Sequence, residues 1–158
     1  MSEALWFRDR QAWRLIVRAY LPLLAGLYLV WETAQVPLYT LWDEAAPAYI
    51  AFAVLHCTLG DVLIGMAALL SALIAERERS LAQWRWRRIA VPTALVGATY
   101  TAFSEWMNVT RLGNWSYADS MPRIEVAGFE LGLTPIAQWL IVPPLALYFA
   151  RASGRPGR

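Results

Sequence analysis

The stretch AYIAFAVLHCTLGDVLIGMAALLSALIA (residues 48–75) decides the fold. A helix needs about 20 mostly apolar residues to cross a bilayer, and this segment is longer than that. It also carries the only histidine and the only cysteine of the chain, His56 and Cys57, and an aspartate, Asp61. A charge in the hydrocarbon costs at least about 2.5 kcal/mol on insertion scales, so such groups face protein or water rather than lipid. The segment is therefore read as a transmembrane helix with one polar face turned to a partner.

Working outward, three more segments have the length and apolar character of spans: residues 19–41, 89–109 and 131–150. Composition agrees. Of 158 residues, 58% are hydrophobic and 16% charged, on the membrane side of the usual range. No A-x-A-like cleavage site follows the first span, which is read as retained. No repeat, low-complexity tract or linker divides the chain, so residues 1–158 read as a single transmembrane domain.

The positive charge is all arginine: fourteen, with no lysine. This suits a GC-rich bacterial genome. Four arginines precede the first span, five lie in the loop between spans two and three, and three follow span four. Only Arg111 and Arg123 lie at the other ends of the spans. The positive-inside rule then puts both termini in the cytoplasm of a bacterial inner membrane. Arginines spread over span ends form no nucleic-acid-binding face, so no nucleic-acid partner is expected. One cysteine forms no internal disulfide. WRLIVRAY (residues 13–20) reads as an amphipathic interfacial turn leading into span one. QWRWRR (residues 83–88) reads as an aromatic belt with snorkelling arginines.

Each span carries polar groups. Span one has Glu32, Gln35 and Tyr39, whose spacing puts them on one helix face. Span two has His56, Cys57, Thr58 and Asp61. Span three has Tyr100, Ser104 and Asn108 on one stripe, with Glu105 beside it. Span four has Thr134, Gln138 and Trp139. At 1.5 Å per residue these side chains fall in the outer half of all four spans. They predict an outward-facing polar pocket, with Gly60 allowing close helix approach. His56 and Asp61 point about 140° apart on an ideal helix, so their convergence requires a bend near Gly60.

The long outer loop, residues 110–130, has Gly, Asn, Asp and Pro that argue against continued helix. Its aromatics Trp115, Tyr117 and Phe129 are placed to fold over the pocket mouth. Asn114-Trp115-Ser116 matches a glycosylation sequon, which matters only in a eukaryotic secretory pathway.

Several chemistries find little support. One histidine and no Glu-x-x-His pair give no metal-site pattern, so no metal ligands are assigned. No C-x-x-C-H haem signature occurs, and the cofactor is left open. His56 and Cys57 are adjacent on a helix and point about 100° apart, which is no catalytic dyad.

The segments HCTLGD (residues 56–61), SEWMN (104–108), NWSYADSMP (114–122) and GLTPIAQW (132–139) resemble an uncharacterised group of small four-span bacterial inner-membrane proteins. The likeness runs from about residue 32 to 144. It implies an inner-membrane address and a shared polar pocket, and no particular activity.

These readings give an all-α, up-down-up-down four-helix membrane bundle with a long outside loop between helices three and four. Glu32, His56, Asp61 and Glu105 are the candidates for acid–base chemistry. Gln35, Tyr39, Asn108, Trp115, Tyr117 and Gln138 complete the pocket. The expected partners are the lipid bilayer and a small lipophilic or amphiphilic molecule, with conversion of that molecule left open. The competing class is a non-catalytic assembly subunit of a membrane complex, whose polar residues serve packing. A small transporter or channel formed as an oligomer is a lesser alternative. An open cavity favours the first class; mutually satisfied side chains without free volume favour the second.

Overall fold

A computed structural model describes residues 5–153. Helix α1 spans Arg10–Leu38. Asp9 caps it by accepting from the Gln11 backbone N–H at 2.8 Å. Pro22 has no N–H to offer the Arg18 carbonyl, and the helix widens into a π turn over Ile16–Tyr20 just before it. Pro37 then ends the run: the chain tightens into a 3-10 turn at Val36–Leu38, and Tyr39 is extended. Tyr39 therefore leaves the helix that carries Glu32 and Gln35, contrary to the one-face expectation.

Helix α2, Pro47–Ala75, opens with proline at its first position, where a missing N–H costs nothing. It closes with Arg77 in the left-handed region (φ 51°) while the Glu78 N–H reaches back to the Leu73 carbonyl. Helix α3, Trp86–Glu105, continues as a π-helical segment, Trp106–Leu112, until Gly113 (φ 64°) stops it. Helix α4 is Leu133–Ser153. Each helix packs on its sequence neighbours, and α4 packs on α1.

Helices α1, α2 and α4 are long and apolar enough to cross a membrane. Helix α3 is less apolar: it carries Arg87, Arg88 and Glu105 and three threonines within its bounds. The chain is mostly helical rather than all-α. Strands β1, Arg123–Val126, and β2, Phe129–Gly132, form an antiparallel hairpin inside the long loop, with Val126 opposite Phe129. Its two turn residues, Ala127 and Gly128, both have positive φ, as a two-residue hairpin turn requires. The sequence reading missed the hairpin because the Ala-Gly turn is a weak signal and β1 is exposed throughout.

The apolar core fills the arginine-rich half of the helices. Tyr20, Leu24 and Tyr28 of α1 meet Leu69 and Leu73 of α2, Ile89 of α3, and Trp139, Val142 and Ala146 of α4. Close approach is made at Gly65, against Leu24, and at Gly97, against Trp139. Gly60 has no neighbour within 4 Å of a would-be Cβ, so it borders open space instead of bringing helices together. At the arginine-rich end, Arg85 pairs with Glu78 at 3.0 Å and with Glu76 at 3.4 Å. The Leu81 N–H donates to Asp9 at 2.7 Å, tying that loop to the start of α1.

Candidate functional site

Above the core, toward the end of the helices that carries Tyr39 and the hairpin, lies a cavity of about 560 Å³. That volume suits a drug-sized molecule. Glu32, Gln35, Tyr39, His56, Asp61, Glu105, Asn108, Trp115 and Gln138 all line it. Of the ten expected site residues, Tyr117 alone is outside the lining, and it acts from behind through Glu105.

The walls are built unequally. The buried lining comes from Glu32, Gln35 and Val36 of α1, Glu105 at the end of α3, and Pro135, Gln138 and Trp139 of α4. The exposed lining is Tyr49, Phe52, His56 and Cys57 of α2, Tyr100 of α3, and Asn114. The cavity thus has its floor at the α1–α4 side and its mouth along the α2–α3 seam.

Amide side chains hold the floor. Gln35 donates from Nε2 to Glu32 Oε1 at 2.7 Å and to Gln138 Oε1 at 3.3 Å. Gln138 donates in turn to Asp61 Oδ2 at 2.5 Å. The Trp31 indole N–H donates to Gln35 Oε1 at 3.2 Å. One chain of hydrogen bonds therefore joins α1, α4 and α2. Buried polar groups need such partners, and in hydrocarbon no water replaces them.

Glu105 is held by the loop. The Tyr117 hydroxyl donates to Glu105 Oε2 at 2.5 Å and accepts from the Gly132 backbone N–H at 3.0 Å. Burial first, and the Glu105 carboxyl second, push the Tyr117 phenol above its ordinary pKa. Tyr39 and Tyr117 form an isolated antiparallel bridge, with ring centroids 5.7 Å apart. Phe129 packs on Trp106, ring centroids 6.4 Å apart. All three loop aromatics thus turn inward: Trp115 to the cavity, Tyr117 to Glu105, and Phe129 to α3's extension.

The Tyr100–Ser104–Asn108 stripe survives the change from α to π winding. Asn108 donates to the Ser104 carbonyl at 2.8 Å and accepts from Asn114 at 2.7 Å. His56 behaves otherwise. Its ring is exposed and stacks on Phe52, centroids 5.6 Å apart. Helix α2 runs unbroken past Gly60, so His56 and Asp61 stay on opposite edges of the lining face. The lone imidazole stands at the mouth while the carboxyls stand at the floor.

Four lining aromatics lie outside the list of site residues: Tyr49, Phe52, Tyr100 and Trp139. A signal was present for two of them. Tyr49, Phe52, His56 and Gly60 recur at helical spacing, so extending the His56 stripe toward the start of α2 finds them.

Among the described residues, no three His, Cys, Asp or Glu side chains are grouped to hold a metal ion. No family model, curated protein or solved structure matches the chain.

Proposed function

We propose that this is a multi-pass bacterial inner-membrane protein that binds a small amphiphilic molecule in an intramembrane pocket, with both termini cytoplasmic. In this reading α3 is the fourth crossing, flanked by α2 and α4. The arginine-rich ends face the cytoplasm, and the cavity lies in the outer half. The carrying observation is the cavity itself: it leaves about 560 Å³ of free volume beside Glu32, Asp61 and Glu105, where a purely structural role needs none.

The mouth supports entry from the bilayer. Phe52 is 59% and Tyr100 50% exposed on the α2–α3 seam, which is lipid-facing if both helices cross. A molecule with an apolar body would slide between these rings and bring its polar end to the floor. There, Glu32 and Asp61 interact directly with each other. Adjacent carboxyls that share a proton can pass it to or from a ligand, which is the acid–base chemistry this floor would support.

The network through Gln35 and Gln138 favours a second reading, an assembly subunit whose polar groups pin its helices. Native mass spectrometry of the protein in mild detergent, with extraction of bound small molecules, separates the two. A ligand-binding protein carries a defined co-purifying molecule that is lost in Glu32→Gln and Glu105→Gln together. A bare protein whose double variant is only less stable refutes the pocket reading.

A further inference from the structure

We infer that the ligand of this pocket is an amphiphile with a cationic nitrogen and no phosphate. The inference rests on the pocket reading above and names the chemical class it selects.

The first observation is an imbalance of charge. Glu32, Asp61 and Glu105 line one cavity, close enough to repel one another. Among the described residues, no arginine lines it. The side chains that hold these carboxyls, Gln35, Gln138 and Tyr117, are neutral donors. Neutral donors position a carboxylate without cancelling its charge. The compensation that buried anions require must therefore come from protons or from a bound cation.

The second observation is the wall. Tyr39, Tyr49, Phe52, Tyr100, Trp115 and Trp139 all line the cavity. Aromatic faces around a carboxylate are the usual surroundings of a substituted ammonium, whose charge they attract and whose alkyl groups they cover. The third is that the indole N–H of Trp139 is buried with no hydrogen-bond partner among the described residues. Trp139 is itself fully buried, and its benzo edge meets Gly97. This donor suits an uncharged acceptor on the ligand, such as an ether or hydroxyl.

The same inventory argues against a choline phospholipid, the other membrane source of an ammonium group. Its phosphate would enter a cavity that holds three carboxyls and, among the described residues, no arginine. Repulsion there costs several kcal/mol with nothing to offset it.

The test uses the full chain in mild detergent and three shape-matched probes: a phenylalkyl trimethylammonium salt, its neutral tert-butyl isostere, and the corresponding carboxylate. Binding is read by tryptophan fluorescence, since Trp115 and Trp139 line the cavity. The ammonium should bind at least about tenfold more tightly than the neutral isostere, and the carboxylate most weakly. Glu105→Gln and, separately, Asp61→Asn should each narrow the ammonium-to-neutral ratio while leaving the neutral affinity in place. That neutral affinity also shows that each variant is folded. Equal binding of ammonium and neutral probes overturns the cationic assignment and leaves the pocket reading standing. Binding of none of the three overturns both. Displacement of the ammonium by a short-chain choline phospholipid at lower concentration overturns the phosphate-free assignment alone.

Discussion

The six-membered ring of Trp139 lies directly on Gly97, so that a Cβ at Gly97 would fall 1.8 Å from Trp139 Cε3. Contact this close brings α3 against α4 one residue beyond Gln138, and so sets the depth of the cavity floor. Gly97→Ala forces the helices apart or the indole out of its place. The expected cost is about 1–3 kcal/mol, read as a lower melting temperature in detergent. Gly26→Ala is the control, because it meets nothing within 4 Å and removes a helix-interior glycine. It should hold or raise stability by about 0.5–1 kcal/mol. Equal melting of the two variants would show that the Gly97 contact does not determine the packing.

Tyr117→Phe removes a hydroxyl that serves two partners, Glu105 Oε2 and the Gly132 N–H. Each is left without that bond, at a cost of about 1–3 kcal/mol. The hairpin should then exchange its amide hydrogens faster, while helix cores keep their protection. The pH dependence has a definite sign. The phenol's pKa is raised in the folded protein, so the stability it contributes is complete below the ordinary tyrosine value near ~10. It is lost as pH rises through the folded value. Wild-type protein should therefore lose hairpin protection in alkali by a step that Tyr117→Phe lacks.

Much of this arrangement is written locally. Helix α2 follows from a long apolar run, and the constant rise of an α-helix puts Glu32, Glu105 and Gln138 in the outer half with Asp61 near the middle of its span. The exit of Tyr39 from α1 is local too, because Pro37 ends the helix first. What depends on nonlocal geometry is not written so. Glu105 is met by Tyr117, twelve residues on, through a loop whose path no periodicity encodes. Gly60 and Gly97 look alike as residues in helical runs, yet one borders a void and the other an indole. Only the facing helix decides between them.

Gln138 accepts from Gln35 and donates to Asp61, so it is the junction of three helices. Gln138→Leu deletes both bonds and buries apolar atoms instead. Interhelical hydrogen bonds in membranes average about 0.6 kcal/mol each, so the loss should be modest, about 1–2 kcal/mol. Gln138→Glu keeps the shape, loses the donor and adds a fourth carboxyl to a cavity lined by three. It should be the worse of the two near neutral pH and should recover toward wild type in acid. Comparing the melting temperatures of both variants at two pH values checks this. A Gln138→Glu variant as stable as wild type at neutral pH would rule out donation to Asp61 as a stabilising contact.

Whether α3 crosses the membrane is decided by where its two ends lie. Its start carries Arg87 and Arg88, and its end leads through Arg111 into the hairpin loop. Its interior, from Ile89 to Ser104, has no charged residue. Four crossings put Ser80 and Ser153 on the cytoplasmic side and Asp119 on the outer side. If α3 did not cross, Ser80 and Asp119 would share a side. Single cysteines at these three positions, in a Cys57→Ser background, report this through a membrane-impermeant maleimide applied to intact cells. Labelling is expected at Asp119→Cys alone until the cells are opened. Replacing Arg87 and Arg88 with glutamine should weaken that discrimination, because in a four-crossing topology the arginine bias holds the loop inside. Labelling of Ser80→Cys in intact wild-type-charge cells would reverse the orientation or remove the third crossing. A cavity mouth facing the bilayer along the α2–α3 seam would then have to be abandoned.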